Sequence, residues 1–108
     1  MMEDLVALAI PKKKLLEKDI EKAVVAYARR KGILVYKFTS PSQRAVPDRM
    51  FLLKHGGMFF IEFKRSGGTP TAAQLREHAK LHGQGCTVVV CDDIDHGKNI
   101  IDIMSETF

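Results

Sequence analysis

Cysteine is scarce in this chain, and the two that occur, Cys86 and Cys91, bracket Thr87-Val88-Val89-Val90. A separation of five along a strand turns them to opposite faces, so they cannot easily pair with each other. No disulfide framework and no zinc-type spacing can be built from them. That reads as two buried structural thiols in a reducing compartment, with the cytoplasm as the expected location. Long apolar runs are missing as well. The stretch Leu5 to Ile10 is far too short to cross a bilayer and follows Glu3 and Asp4, unlike a signal peptide, so no membrane partner is expected. Repeats and low-complexity tracts are also absent.

What is present is the composition of a globular domain: 45% hydrophobic and 28% charged over 108 residues, enough for one modest core. We expect an N-terminal arm over residues 1–14 and a single domain over 15–108. The arm combines the apolar patch with Pro11 and Lys12-Lys13-Lys14, and could dock on a partner chain or touch phosphate. Lys and Arg total 17 against 13 Asp and Glu, a net charge of +4 and a pI near 9.2, which fits a polyanionic partner without requiring one.

Apolar positions Leu16, Ile20, Ala23, Val24, Tyr27 and Ala28 recur at helical spacing from Leu15 or Leu16 to Lys31, and Gly32 is a natural stop. Arg29-Arg30-Lys31 in the last turn either complement the helix dipole or contact phosphate. Ile33 to Phe38 reads as a strand, followed by a polar loop, Thr39 to Arg44. Two β-rich runs, Arg49 to Lys54 and Met58 to Lys64, flank the turn His55-Gly56-Gly57. Thr69 as N-cap and Pro70 at the first helical position predict a helix through about His82, closed by Gly83 and Gly85. Cys86 to Cys91 is a continuous apolar run expected of an interior strand. Asp93 to Met104 predicts a short last helix packed through Ile94, Ile100, Ile101 and Met104 and interrupted at Gly97. The fold class is therefore α/β, an αβββαβ order around a mixed sheet flanked by helices.

The hairpin carries the chemistry. With a three-residue turn, Lys54 faces Met58, Met50 faces Glu62 and Asp48 faces Lys64, and the alternation of side chains puts Asp48, Glu62 and Lys64 on one face. Phe59, Ile61 and Phe63 occupy the other. Pro47 favours an extended Val46 and so fixes the start of the strand that holds Asp48. Two converging carboxylates beside a lysine suit phosphodiester hydrolysis with Mg²⁺ or Mn²⁺, because hard oxygen ligands hold such an ion and the lysine can stabilise growing negative charge on phosphorus. The competing reading of Glu62 and Lys64 is a solvated strand face. His78 and His82, four apart with no third ligand, read as surface or helix-terminal histidines rather than a zinc pair.

The order αβββαβ, with Pro-Asp opening one strand and Glu-x-Lys in the next, resembles the PD-(D/E)xK nuclease superfamily and its restriction-endonuclease-like core. More closely, Glu17 to Val25, Lys37-Phe38-x-Ser40-Pro41, Val46-Pro47-Asp48-Arg49, Phe60 to Arg65 and Pro70-Thr71-x-x-Gln74 resemble the VRR-NUC family, the virus-type replication-repair nucleases, over roughly residues 15–92. The resemblance implies Asp48, Glu62 and the Phe63 carbonyl as metal ligands, Lys64 as the catalytic lysine and Gln74 close to the active centre. Glu17 is implied as the helical acid, with Glu21 as the alternative. Lys37, Ser40, Arg44, Arg49 and Arg65 are the expected DNA contacts. Ala45 departs from the pattern, since many members carry glycine there; a positive φ at that position would cost alanine sterically. The function implied is a Mg²⁺- or Mn²⁺-dependent endonuclease of bacterial or phage origin acting on branched DNA, similar to Holliday-junction resolvases and homodimeric. The alternatives are a flap or nicking nuclease and a non-catalytic nucleic-acid-binding module.

Overall fold

The computed structural model describes residues 13–107. The Leu5 to Ile10 patch and Lys12 of the expected arm lie outside the described residues. Helix α1 spans Glu17–Arg30 and ends in a Schellman arrangement. There the Ile33 N–H donates to the Ala28 carbonyl at 3.1 Å and the Gly32 N–H to Arg29 at 3.0 Å, with Gly32 at φ +82°. Strands β1 (Leu34–Lys37), β2 (Arg49–Leu52) and β3 (Met58–Phe63) follow, then α2 (Ala72–Gly83), β4 (Val88–Cys91) and α3 (Ile94–Thr107). Among the described residues the sheet has the order β1-β2-β3-β4, with the first two pairings antiparallel and β3–β4 parallel.

The sheet is covered on both faces. Ile20, Val24, Val25 and Ala28 of α1 and Ile100 and Ile101 of α3 bury the face carrying Phe51, Phe59, Ile61 and Phe63. Phe51 and Phe59, directly paired across the hairpin, stack at 4.9 Å between ring centroids, as cross-strand aromatic pairs do. Helix α2 lies over the other face, where Phe60 and Glu62 are buried.

Several expectations are corrected. The Leu53 N–H donates to the Gly57 carbonyl at 2.7 Å, so the hairpin closes on a three-residue 3₁₀ turn, Lys54–Gly56, one residue earlier than His55-Gly56-Gly57, and in it His55 and Gly56 both take positive φ. Met50 therefore pairs with Phe60 instead of Glu62. The slip is two residues, so every side chain keeps its face. Helix α2 begins after Thr71, not Thr69, because Thr71 and Gln74 form a reciprocal capping box: Gln74 N–H donates to Thr71 Oγ1 at 3.1 Å, and Thr71 N–H to Gln74 Oε1 at 2.9 Å. Strand β4 is an edge strand, not an interior one; it reads as continuously apolar because helices cover both faces of its end of the sheet. Helix α3 runs unbroken through Gly97, which is buried against Val24 and Cys91. Cys91 is buried and Cys86 half-buried, both as free thiols.

Candidate active site

Extending the β2–β3 ladder one residue past its last pair sets Asp48 opposite Glu62. The strand start is held from both sides: Pro47 is fully buried, and the Asp48 carbonyl accepts the Phe38 N–H at 3.0 Å. Asp48 Oδ2 accepts the Phe63 N–H at 2.7 Å, which fixes its carboxylate between Glu62 and Lys64 along the backbone. Lys64 Nζ lies 4.0 Å from Glu62 Oε2.

Glu62 is 1% exposed, which excludes the solvated-face reading. Its carboxyl is pushed up to about 8, first by burial, then by a hydrogen bond and the charge of Asp48, with Lys64 opposing and Glu17 adding a little. With its pKa that high, Glu62 keeps its proton at neutral pH unless a cation takes its place.

Glu17 reaches this centre through its backbone. Leu15 N–H donates to Ser66 Oγ at 2.8 Å, and Ser66 N–H donates to the Leu15 carbonyl at 3.1 Å. That clamp lays the first turn of α1 beside the end of β3. A groove of about 520 Å³ opens there, lined by Leu16, Glu17, Lys64, Arg65 and the Gly67-Gly68-Thr69 turn. Burial and the charge of Asp48 raise the Glu17 carboxyl above the usual range, while Lys64 lowers it. Helix α1 has no side-chain N-cap, so Glu17 sits in the first turn, where an acid complements the helix dipole. Glu21, one turn on, is bound elsewhere: Arg49 Nε donates to its Oε2 at 2.6 Å.

Of the two histidines expected to be surface or helix-terminal, His82 is exposed in the last turn of α2, but His78 is buried. His78 is 5% exposed and its Nε2 lies 3.3 Å from Glu62 Oε1. Burial, then the charges of His82 and Lys64, lower its pKa, so the contact is a hydrogen bond to a neutral imidazole rather than an ion pair. The signal was available: His78 follows Gln74 by one helical turn and shares its face. Glu77 and Gln43 were also missed. Gln43 Nε2 donates to Glu77 Oε2 at 2.8 Å and ties the polar loop to α2.

Of the remaining candidates, Gln74 has its Oε1 occupied by the capping box. Lys37, Arg44 and Arg65 are exposed and Ser40 is half-buried. Arg49 turns to the opposite face from Asp48, toward α1 and Glu21. Ala45 has φ +68°, so it takes the left-handed conformation that costs an alanine sterically.

The carboxylate oxygens of Asp48 and Glu62 are the donors at the centre, which fits a hard divalent cation such as Mg²⁺ or Mn²⁺. Among the described residues no three His, Cys, Asp or Glu side chains form a metal-holding group. An ion here would have two protein carboxylates and would draw on carbonyl, water and phosphate oxygens for the rest. Among the described residues no helix is long and apolar enough to cross a membrane.

No family model matches the chain. Over 79 residues it is 47% identical to a protein of Acyrthosiphon pisum secondary endosymbiont phage 1 named "Putative nuclease p44", a match covering 73% of this chain and 85% of that protein. A solved structure described as "VRR_NUC domain" superposes with a TM-score of 0.75 at 26% identity, over 80% of this chain and 94% of the other.

Proposed function

This chain belongs to the VRR-NUC family of nucleases, and we propose that it is a Mg²⁺- or Mn²⁺-dependent endodeoxyribonuclease that cuts branched DNA as a homodimer, in the manner of a junction resolvase. The observation that carries the catalytic part is the juxtaposition of buried Glu62 with Asp48 and Lys64, braced by the Asp48 bond to Phe63 N–H.

Asp48, Glu62 and the Phe63 carbonyl would hold the cation, which supplies charge neutralisation of the phosphodiester and acidifies an attacking water. Lys64 stabilises negative charge as it grows on the phosphate oxygens. Glu17, facing Lys64 across the groove, orients the nucleophile and accepts its proton, a task for which a raised carboxyl pKa is suited. The hydrogen bond between His78 Nε2 and Glu62 Oε1 holds the carboxyl in one orientation. Gln74 anchors the first turn of α2 above the site and keeps its amide NH₂ for substrate. Ser40, Arg44 and Arg65 contact the DNA backbone around the scissile phosphate, and Lys37, paired with Arg49 across β1 and β2, contacts it from the α1 side of the sheet.

Branched DNA is favoured because the described residues of so small a domain form no zinc finger or dedicated recognition helix, which leaves shape to be read through the backbone. Paired incision of opposed strands needs two centres, hence two subunits. The test is incubation with linear, flap, splayed and four-way DNA in Mg²⁺, Mn²⁺ or EDTA, with sedimentation of the bound complex. Paired nicks in four-way junctions by a dimer, abolished by EDTA and by Glu62→Gln, are expected. Equal cutting of linear duplex by a monomer overturns the resolvase reading.

A further inference from the structure

Helix α1 carries a second groove that the acid and lysine centre does not use. It measures about 620 Å³ and is lined by Lys18, Glu21, Lys22, Val25, Ala26, Arg29, Arg30 and Arg49. Its single acid, Glu21, is neutralised by Arg49. Four cations on the helix therefore remain, of which Arg29 also donates from Nη2 to the Val35 carbonyl at 3.3 Å.

Helix stability accounts for only half of them. Arg29 and Arg30 sit in the last turn, where cations complement the dipole, but Lys18 occupies the first turn, where a cation opposes it. Lys18 and Lys22 are also four apart, a spacing at which like charges repel. Glu21 and Asp19 lie three residues from Lys18 and Lys22 and offset part of that repulsion, but Glu21 is held by Arg49 and both lysines are exposed, so their ammonium groups stay open to a ligand. The stripe Lys18, Lys22, Val25, Arg29 runs along one face of α1 and starts one residue from Glu17. Its span of eleven residues is about 16 Å, the length of two to three phosphate steps on one DNA strand.

We propose that this groove holds the phosphate backbone of a duplex arm whose scissile phosphate lies at Asp48, Glu62 and Lys64. The proposal rests on the nuclease reading above and adds a second contact surface to it. Asp48 and Arg49 are adjacent and face opposite sides of the sheet, so a DNA arm leaving the active centre passes round the start of β2 to reach the groove. Duplex is preferred to single strand because no aromatic ring lines the groove to stack an unpaired base.

The experiment is fluorescence anisotropy with duplex and four-way DNA across a salt series, in EDTA so that no cleavage occurs. The double variant Lys18→Ala, Lys22→Ala should bind duplex arms more weakly and flatten the plot of log affinity against log salt by about two, at roughly 0.9 per lost phosphate contact. Its melting temperature should stay close to that of the wild type, because both side chains are exposed. Lys54→Ala, in the hairpin turn at the far end of β2, is the control and should move neither readout appreciably. An unchanged salt slope in the double variant, or an equal loss in the control, overturns the proposal. A protein that binds in this way yet cuts nothing in Mg²⁺ or Mn²⁺ would sink the catalytic reading and leave the groove standing.

Discussion

Leu15 and Ser66 exchange two hydrogen bonds, one through the serine hydroxyl and one through the backbone, across 51 residues of chain. Glu17 follows one partner by two residues and Lys64 precedes the other by two, so this clamp decides where the helical acid stands relative to the hairpin. Ser66→Ala removes the hydroxyl acceptor. It is expected to cost about 1 kcal/mol of stability and to slow cleavage with little change in DNA affinity, measured by thermal melting, single-turnover kinetics and anisotropy.

The two glutamates of α1 separate in the same assay. Glu17→Gln should reduce the single-turnover rate by roughly a hundredfold or more, while Glu21→Gln, which only releases Arg49, should cost far less. The opposite ranking would assign the nucleophile-orienting role to Glu21.

Asp48 has two tasks that two substitutions divide. Asp48→Asn keeps an acceptor for the Phe63 N–H and should leave the protein folded and able to bind DNA without cutting it. Asp48→Ala leaves that N–H without its acceptor and should lose a further 1–3 kcal/mol, roughly, in denaturant unfolding. Equal stability of the two variants would mean that the 2.7 Å bond is not a structural contact in solution.

The raised pKa of Glu62 makes stability depend on pH in a defined direction. With the folded value at about 8 and the ordinary value at 4.5, the folded protein binds the proton more tightly. That stabilisation is complete below pH 4.5 and is lost as pH rises through 8. In EDTA the wild type should therefore melt several degrees lower at pH 8 than at pH 5, relative to Glu62→Gln. Mg²⁺ added at pH 8 should recover the loss in the wild type and not in Glu62→Gln. A pH-independent difference between the two proteins would place the proton elsewhere.

Gly97 is where α3 meets α1. A Cβ there would overlap Val24 Cγ2 and come within 3.0 Å of Cys91 Sγ. Gly97→Ala should cost roughly 1–3 kcal/mol by overpacking, and Val24→Ala in the same chain should return part of it. Loss without any return would implicate the helix backbone instead of the crossing.

Ala45 stands in the left-handed region at φ +68° in the loop before Asp48. Ala45→Gly removes a steric cost of about 1 kcal/mol and should raise the melting temperature by a few degrees while leaving cleavage intact.

The apolar periodicities, the turn glycines and the alternation of the hairpin were enough to determine the element order and the mixed α/β class, because each rests on local geometry that repeats every two or 3.6 residues. They also placed Asp48, Glu62 and Lys64 on one face, since the error in register was an even number. The position of the turn was not legible, because nothing in the one-dimensional pattern of Leu53 to Gly57 says that Leu53 will close on Gly57 and leave Lys54–Gly56 as the three-residue turn, one residue earlier than His55-Gly56-Gly57. Nor was the capping box at Thr71, which competes with an equally acceptable start at Thr69 and Pro70.

What only the tertiary structure decided are the contacts between segments far apart in the chain. The sequence by itself could read Glu62 as solvent-facing and His78 as a surface histidine; laying α2 over the sheet buries both and sets them 3.3 Å apart. It could not separate Glu17 from Glu21, which share a helix face. The Leu15–Ser66 clamp turns one toward Lys64, and the Arg49 guanidinium holds the other. Local propensity carries no record of such pairs, because their free energy exists only once the chain has closed on itself.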